Sequence, residues 1–537
     1  MEVKSIIWFR HGLRIHDNPA LLEAIKSEGS SKVTFYPVFI FDGITAGTKL
    51  VGYNRMKFLI ESLEDLNEQF KSFGGNGLHI FRGDPVEIFT KLSKELGINK
   101  ICFEQDCEPI WNERDMRVAQ MCKELDITLI EKISHTLWDP NSVINANGGY
   151  PPLTYQMFLH TVNVLGNPSR PVQMPCFSNV VFGTIPLHLH KQLGLMNSIP
   201  SPEDFSLFPS KSKKFLVWKG GEKRALEQLK IRLQVEQEAF LNGTYLPNQG
   251  NPKLTGDSTS MSAALRFGCL SVRKFFYDIH DLFAEVKQKT FSNTPGGHHI
   301  TGQLIWREYF YTMSVRNPFY AQMENNPICL NINWSRPNDE DILKWKEGRT
   351  GFPIIDASMR QILSEGWIHH TLRNITATFL TRTGLWYSWE IGLQHFLKYL
   401  LDADWSVCSG NWLWVSSSAF ERLLDSSKFS IIAIAYRLDP EGTYIRRYIR
   451  ELRDIPNRYI HEPWKTPLEI QKRCRCVIGK DYPEPMIDLN RAMQINSSRM
   501  KEIRNSLIEV KQPHVRPSNE DEIRTFFWIA DDIAVKC

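Results

Sequence analysis

Three groups of residues have the types and spacing to do chemistry. In Trp367-Ile368-His369-His370-Thr371-Leu372-Arg373-Asn374, helical spacing sets His370, Arg373 and Asn374 at i, i+3 and i+4, on one face. A histidine, an arginine and an amide directed together from an apolar helix form a polar cluster that must be satisfied if it is buried. Further on, Asp402-Ala403-Asp404-Trp405-Ser406-Val407-Cys408 sets two carboxylates near a thiol. Asp402 can pair with Arg373 across a site, although a structural ion pair between two helices accounts for the same residues. The third group is Ser258-Thr259-Ser260-Met261-Ser262, which leads into Ala263-Ala264-Leu265-Arg266-Phe267-Gly268. Hydroxyls, backbone N–H groups and a helix dipole make an anion cradle there, with Arg232 as a phosphate partner. A plain capped helix start has the same residues.

Tryptophan is unusual in number and in place. The chain has 15, and most lie between Trp306 and Trp414. A large aromatic core explains abundance but not clustering. The ten cysteines form no framework. Cys474 and Cys476 are the close pair, and without a second pair or a histidine cluster no metal site is expected.

The elements that must position these groups fall into two classes. Over residues 1–135, short apolar strands at 5–9, 33–41, 78–82, 101–104 and 127–130 alternate with helical patterns at 18–26, 55–73, 86–96 and 113–125. Asn18 caps the first helix, with Pro19 at its first position. This βαβα order predicts a doubly wound, mostly parallel sheet. No Gly-x-Gly-x-x-Gly follows the first strand and there is no P-loop, so the α/β domain carries no nucleotide signature. Residues 136–219 are rich in Pro, Gly, Asn and Ser and read as a long, partly ordered connector. Residues 220–510 read as helical throughout, an all-α domain. Residues 511–537 form a tail in which Pro513 and Pro517 precede a helix capped by Ser518, bearing Phe526, Phe527 and Trp528.

Composition narrows the function class. The net charge of +4 is too small a bias to argue for nucleic acid as the main partner. No signal-peptide core and no run of about 18 apolar residues is present, so a soluble, intracellular protein is expected.

Long stretches of the chain resemble the photolyase/cryptochrome family, and within it the insect type 1 cryptochromes. They are Trp8 to Leu21, Ser260 to Ser271, Gly302-Gln303-Leu304-Ile305-Trp306-Arg307-Glu308-Tyr309-Phe310, Thr350-Gly351-Phe352-Pro353, Gly366 to Asn374 and Asp402 to Trp414. The resemblance implies an FAD in the helical domain. Residue by residue it places Arg232, Ser260, Met261 and Ser262 near the phosphates, and Gln303 and His370 along the pocket. It puts Asp402, Ala403 and Asp404 against the flavin, Arg373 paired to Asp402, and Cys408 facing flavin N5. It implies electron transfer through Trp412, Trp389, Trp334 and Trp386 in that order, the last outermost. Trp386 and Trp389, three residues apart, are expected to share one helix.

The same resemblance implies a blue-light photoreceptor of the circadian clock rather than an enzyme, acting in cytoplasm and nucleus. Its partners would be clock proteins such as Timeless and Period and a ubiquitin-ligase adaptor, with DNA binding weak or absent. The tail residues Phe526, Phe527 and Trp528 would fill a pocket at Trp306 and His370. A (6-4) photolyase is the main alternative and a light-independent transcriptional repressor the third. Asn374 stands where (6-4) photolyases carry a second histidine, and Cys408 where photolyases usually carry Asn; both favour the receptor. Gly12 replaces an acidic residue common at its turn, so an antenna pigment such as methenyltetrahydrofolate is not safely inferred.

Overall fold

The computed structural model describes residues 2–27, 32–43, 50–210, 215, 217–242, 252, 254, 259–290, 300–420 and 430–509. Five parallel strands, β1 (Val3–Phe9), β2 (Val33–Phe41), β3 (His79–Arg82), β4 (Lys100–Glu104) and β5 (Thr128–Lys132), stand in the order β3-β2-β1-β4-β5. This is the doubly wound arrangement, with order reversing at β1 and β4. Alternation along β1 explains the two covered faces. Ile6 and Trp8 pack with the helices Pro85–Leu96 and Asn112–Glu124, and Ile7 and Phe9 pack with the Tyr53–Ser72 helix. As expected, Asn18 caps the Pro19–Ala24 helix, its Oδ1 accepting from Leu21 N at 3.0 Å.

The stretch read as a connector is more ordered than its composition implies. It holds the helices Pro140–Ala146, Tyr155–Leu165 and Leu187–Leu193, and a sixth strand, β6 (Val180–Phe182). β6 pairs in parallel with the first half of β2, on the edge whose second half β3 uses. Three β-prone residues amid Pro and Asn are too short a pattern to read as a strand.

Beyond β6 the described residues form helices and no further strand. The core that holds Ile7, Phe9 and Phe39 of the sheet also holds Phe267, Leu270, Phe275 and Ile279 of the helical part. One apolar core thus spans the seam between the two parts. A second core joins the later helices to the connector helices Pro140–Ala146 and Tyr155–Leu165, through Val143, Tyr155, Phe158 and Val162, and carries most of the tryptophans. Among the described residues no helix is long and apolar enough to cross a membrane.

Candidate functional site

The His370–Leu380 helix starts later than the apolar run suggests. Trp367 and Ile368 precede it, and His369 caps it through Nδ1, which accepts from Thr371 N at 3.2 Å. His370, Arg373 and Asn374 share a face as the spacing predicts. Buried Asn374 Nδ2 lies 3.3 Å from Nε2 of exposed His370.

Arg373 Nη2 donates to Asp402 Oδ2 at 2.8 Å, and its Nε donates to the Ile368 carbonyl at 3.1 Å. The same Asp402 oxygen accepts from Ser262 Oγ at 2.6 Å, and Ser260 Oγ lies 2.9 Å from Ser262 Oγ. Three segments far apart in sequence therefore converge on one carboxylate. Its other oxygen, Oδ1, is buried and has no hydrogen-bond partner in the protein. An unmet buried acceptor costs about 1–3 kcal/mol, so this oxygen is suited to a donor from a bound molecule.

The anion cradle differs from expectation. The Ser262–Arg266 helix has five residues, too few to build much dipole, and the Ser262 hydroxyl is taken by Asp402. Ser260 Oγ is itself bonded to Ser262, and Arg232 lies nearby, its Nη1 donating to Thr259 Oγ1 at 3.2 Å. Arg232 is buried and ion-paired to Glu236, which offsets its charge toward a phosphate. Met261 is buried and Gln303 exposed on the Ile300–Ser314 helix.

Asp404 does not join Asp402. Its Oδ1 caps the Trp405–Val415 helix by accepting from Val407 N at 2.6 Å, and its Oδ2 accepts from Tyr311 O–H at 3.1 Å. Burial, and then the nearby Glu108 carboxylate, push its pKa up to about 6. Both Asp404 carboxylate oxygens are thus engaged within the protein, in a buried polar cluster on the far side of residues 402–404 from Arg373. Ala403 is buried, with its carbonyl accepting from Arg266 Nε at 3.2 Å. Cys408 is buried, and burial followed by the Asp404 charge raises its thiol pKa, so it stays a neutral thiol.

The tryptophans lie in two connected cores. Trp412 packs edge-on to Phe396 at 5.0 Å and to Trp345 at 6.4 Å between ring centroids. Trp389 lies in the same core with no exposed surface. Trp334 packs against that core and also against Trp386, at 4.9 Å between centroids. Trp386 and Trp389 do not share a helix. Trp386 has a left-handed backbone (φ 59°), Ser388 caps the next helix, and that helix begins at Trp389. Nor is Trp386 outermost: it is 3% exposed, with Met500 against it and Arg499 over its ring, whereas Trp334 is half-buried.

Trp306 is buried, stacked on Tyr155 at 3.6 Å and edge-on to Trp414 at 4.8 Å. Phe526, Phe527 and Trp528, with the rest of 511–537, lie outside the described residues. Sequence reasoning missed Glu108, Arg266 and Tyr311, which hold the short loop 402–404 and the start of the Trp405–Val415 helix from behind. The signal for Glu108 was an acidic pair, Asp106 and Glu108, just past the end of a strand.

A model described as the FAD binding domain of DNA photolyase matches residues 300–502, and one described as DNA photolyase matches residues 5–175. The chain is 59% identical to Cryptochrome-1 of Anopheles gambiae, covering 100% of both chains. It is 55% identical to Cryptochrome-1 of Drosophila melanogaster, covering 98% of each. A cryptochrome structure from Synechocystis shares the fold with a TM-score of 0.75 at 22% identity, over 93% of this chain and 99% of that one.

The residues fit FAD, the cofactor of the matched domain. The open Asp402 oxygen suits a flavin N–H or ribityl hydroxyl donor, Arg373 supplies positive charge beside it, and Ser260 faces the Ser262–Asp402 side of the same cluster. With its full-length likeness at well over half identity to mosquito proteins, this chain belongs to the photolyase/cryptochrome family, in the branch of the insect Cryptochrome-1 proteins.

Proposed function

We propose that this chain is a blue-light photoreceptor of the circadian clock. FAD, when bound, absorbs blue light and accepts an electron; the protein supplies that electron and responds to the charge. The observation that carries the reading is the set of indoles, with Trp412 and Trp389 buried in one core and Trp334 packed both against that core and against buried Trp386. Indoles are oxidisable, and close packing of their rings permits an electron to pass between them. Arg373, 24% exposed and paired to Asp402, keeps a positive charge beside the site. Cys408, held as a thiol, adds no negative charge and is a weak donor. His370 lies on the face of Arg373, where a change of nearby charge shifts its protonation.

In this reading illumination releases the 511–537 tail from the region of Trp306 and His370, and clock proteins such as Timeless and Period and a ubiquitin-ligase adaptor then bind, in cytoplasm and nucleus. Asn374 beside His370 argues against a (6-4) photolyase, because an amide cannot take up and return a proton as a second histidine does. Limited proteolysis of the FAD-loaded chain in dark and light tests the switch: cleavage within 511–537 should rise on illumination, and equal cleavage would remove it. Efficient light-driven repair of ultraviolet-damaged DNA would replace this reading with a DNA photolyase.

A further inference from the structure

The site segment 402–408, a short loop running into the first turn of the Trp405–Val415 helix, is gripped from behind at three polar points. The Ala403 carbonyl accepts from Arg266 Nε at 3.2 Å, and Arg266 Nη1 donates to His11 Nδ1 at 2.9 Å. His11 is therefore the tautomer with hydrogen on Nε2, which donates to Asp106 Oδ2 at 2.8 Å. Asp404 accepts from the Tyr311 hydroxyl, which also lies 2.8 Å from His135 Nε2. Ser406 N donates to Glu108 Oε1 at 2.8 Å, while Glu108 Oε2 accepts from Trp111 Nε1 at 3.1 Å. All of these groups are buried.

Their places in the fold make the pattern meaningful. His11 follows β1, and Asp106 and Glu108 follow β4, at the carboxyl ends of the two strands where the sheet order reverses. In doubly wound sheets that crevice is where a ligand binds. Here Arg266 and the backbone of residues 403–406 take polar contacts there that a ligand would otherwise take. The domain seam is close enough that a Cβ on Gly268 would lie 2.2 Å from Gly12 N.

We propose that the switch-point crevice of the α/β domain docks the flavin loop, and that Glu108 and Tyr311 are positioning residues setting where Asp402 and Cys408 meet FAD. Neither needs to touch the cofactor. Each fixes a backbone or cap point within four residues of Asp402, and loss of either leaves a buried donor or acceptor unmet, so the loop shifts to satisfy it.

The inference rests on residues 402–408 forming the flavin loop, and the experiment separates the two. The full-length chain is purified with FAD, and three quantities are measured for the parent, Glu108→Ala, Glu108→Gln, Tyr311→Phe and Asp402→Ala: FAD retained on gel filtration, the rate of FAD escape, and the fine structure of the 450-nm region band. Glu108→Ala and Tyr311→Phe should each speed escape about tenfold, the size expected from one lost buried hydrogen bond, and blur the band. Glu108→Gln, which keeps an acceptor for Ser406 N, should restore most of both. Escape rate and band shape equal to the parent in Glu108→Ala and Tyr311→Phe, with FAD lost from Asp402→Ala, would overturn the docking role alone. FAD held normally by Asp402→Ala would overturn the loop assignment and the docking role together. If Glu108→Ala fails to fold, Tyr311→Phe, which keeps the ring and removes only the hydroxyl, decides.

Discussion

At the residue scale the Arg373–Asp402 pair was legible because helical spacing sets the arginine's face and residues 402–408 set carboxylates ahead of an apolar run. That the Asp402 and Asp404 carboxylates would take separate sets of partners was not legible. Two carboxylates at i and i+2 diverge once Asp404 becomes a helix cap, and a cap is decided by where the helix starts. Trp386 is a similar case: its left-handed backbone and the cap at Ser388 separate it from the helix it was expected to share. Packing around Trp412 depends on a residue that attracts no notice in the sequence. A Cβ on Gly392 would lie 2.1 Å from Trp412 Cη2. Gly392→Ala should therefore destabilise the protein by about 1–3 kcal/mol, the usual range for overpacking, read as a lower urea midpoint. An unchanged midpoint would mean that Trp412 has room to move.

At the element scale the alternation of strands and helices was readable from apolar periodicity, and β6 was not, because three residues carry no period. The Trp389–Tyr399 helix also buries a histidine in the aromatic core, with His395 against Trp345 and Tyr399. Burial, and then Lys346 and Lys398, lower its pKa to about 3, and its Nε2 has no hydrogen-bond partner. The folded protein thus keeps His395 neutral while the unfolded chain binds a proton below about pH 6.5. More protons on the unfolded chain mean that stability falls as pH drops through 6.5 toward 3. Between pH 6.5 and 5 this one group removes up to about 2 kcal/mol. Buried Asp404 and Glu308, whose pKa values are raised to about 6 and about 7, act with the opposite sign, since folding favours their protonated forms. Comparison with His395→Leu isolates the histidine. The unfolding free energy of the parent minus that of His395→Leu should rise as pH goes from 5 to 6.5, and a difference independent of pH would contradict the assignment.

At the scale of the whole molecule the α/β-plus-helical architecture was legible, and the way its parts meet was not, because the seam is made by backbone approach rather than by a motif. Leu13 N donates to the Phe267 carbonyl at 3.2 Å, and Gly12 and Gly268 face each other with positive φ of 65° and 66°. A side chain at Gly268 meets both a disfavoured backbone conformation and the Gly12 backbone. Gly268→Ala should cost on the order of 2–4 kcal/mol and open the seam to limited proteolysis, whereas a cleavage pattern like the parent's would show that the domains dock without this contact. The seam matters for the light reading because residues 403–406, beside the proposed FAD site, are pinned across it. The claim on which that reading stands is that Trp412 feeds the flavin its electron. The direct measurement is the absorbance of the FAD-loaded full-length chain near 450 nm during continuous blue illumination without added reductant, beside Trp412→Phe. The parent should bleach within an exposure that leaves Trp412→Phe unbleached, and equal bleaching of the two would contradict the account.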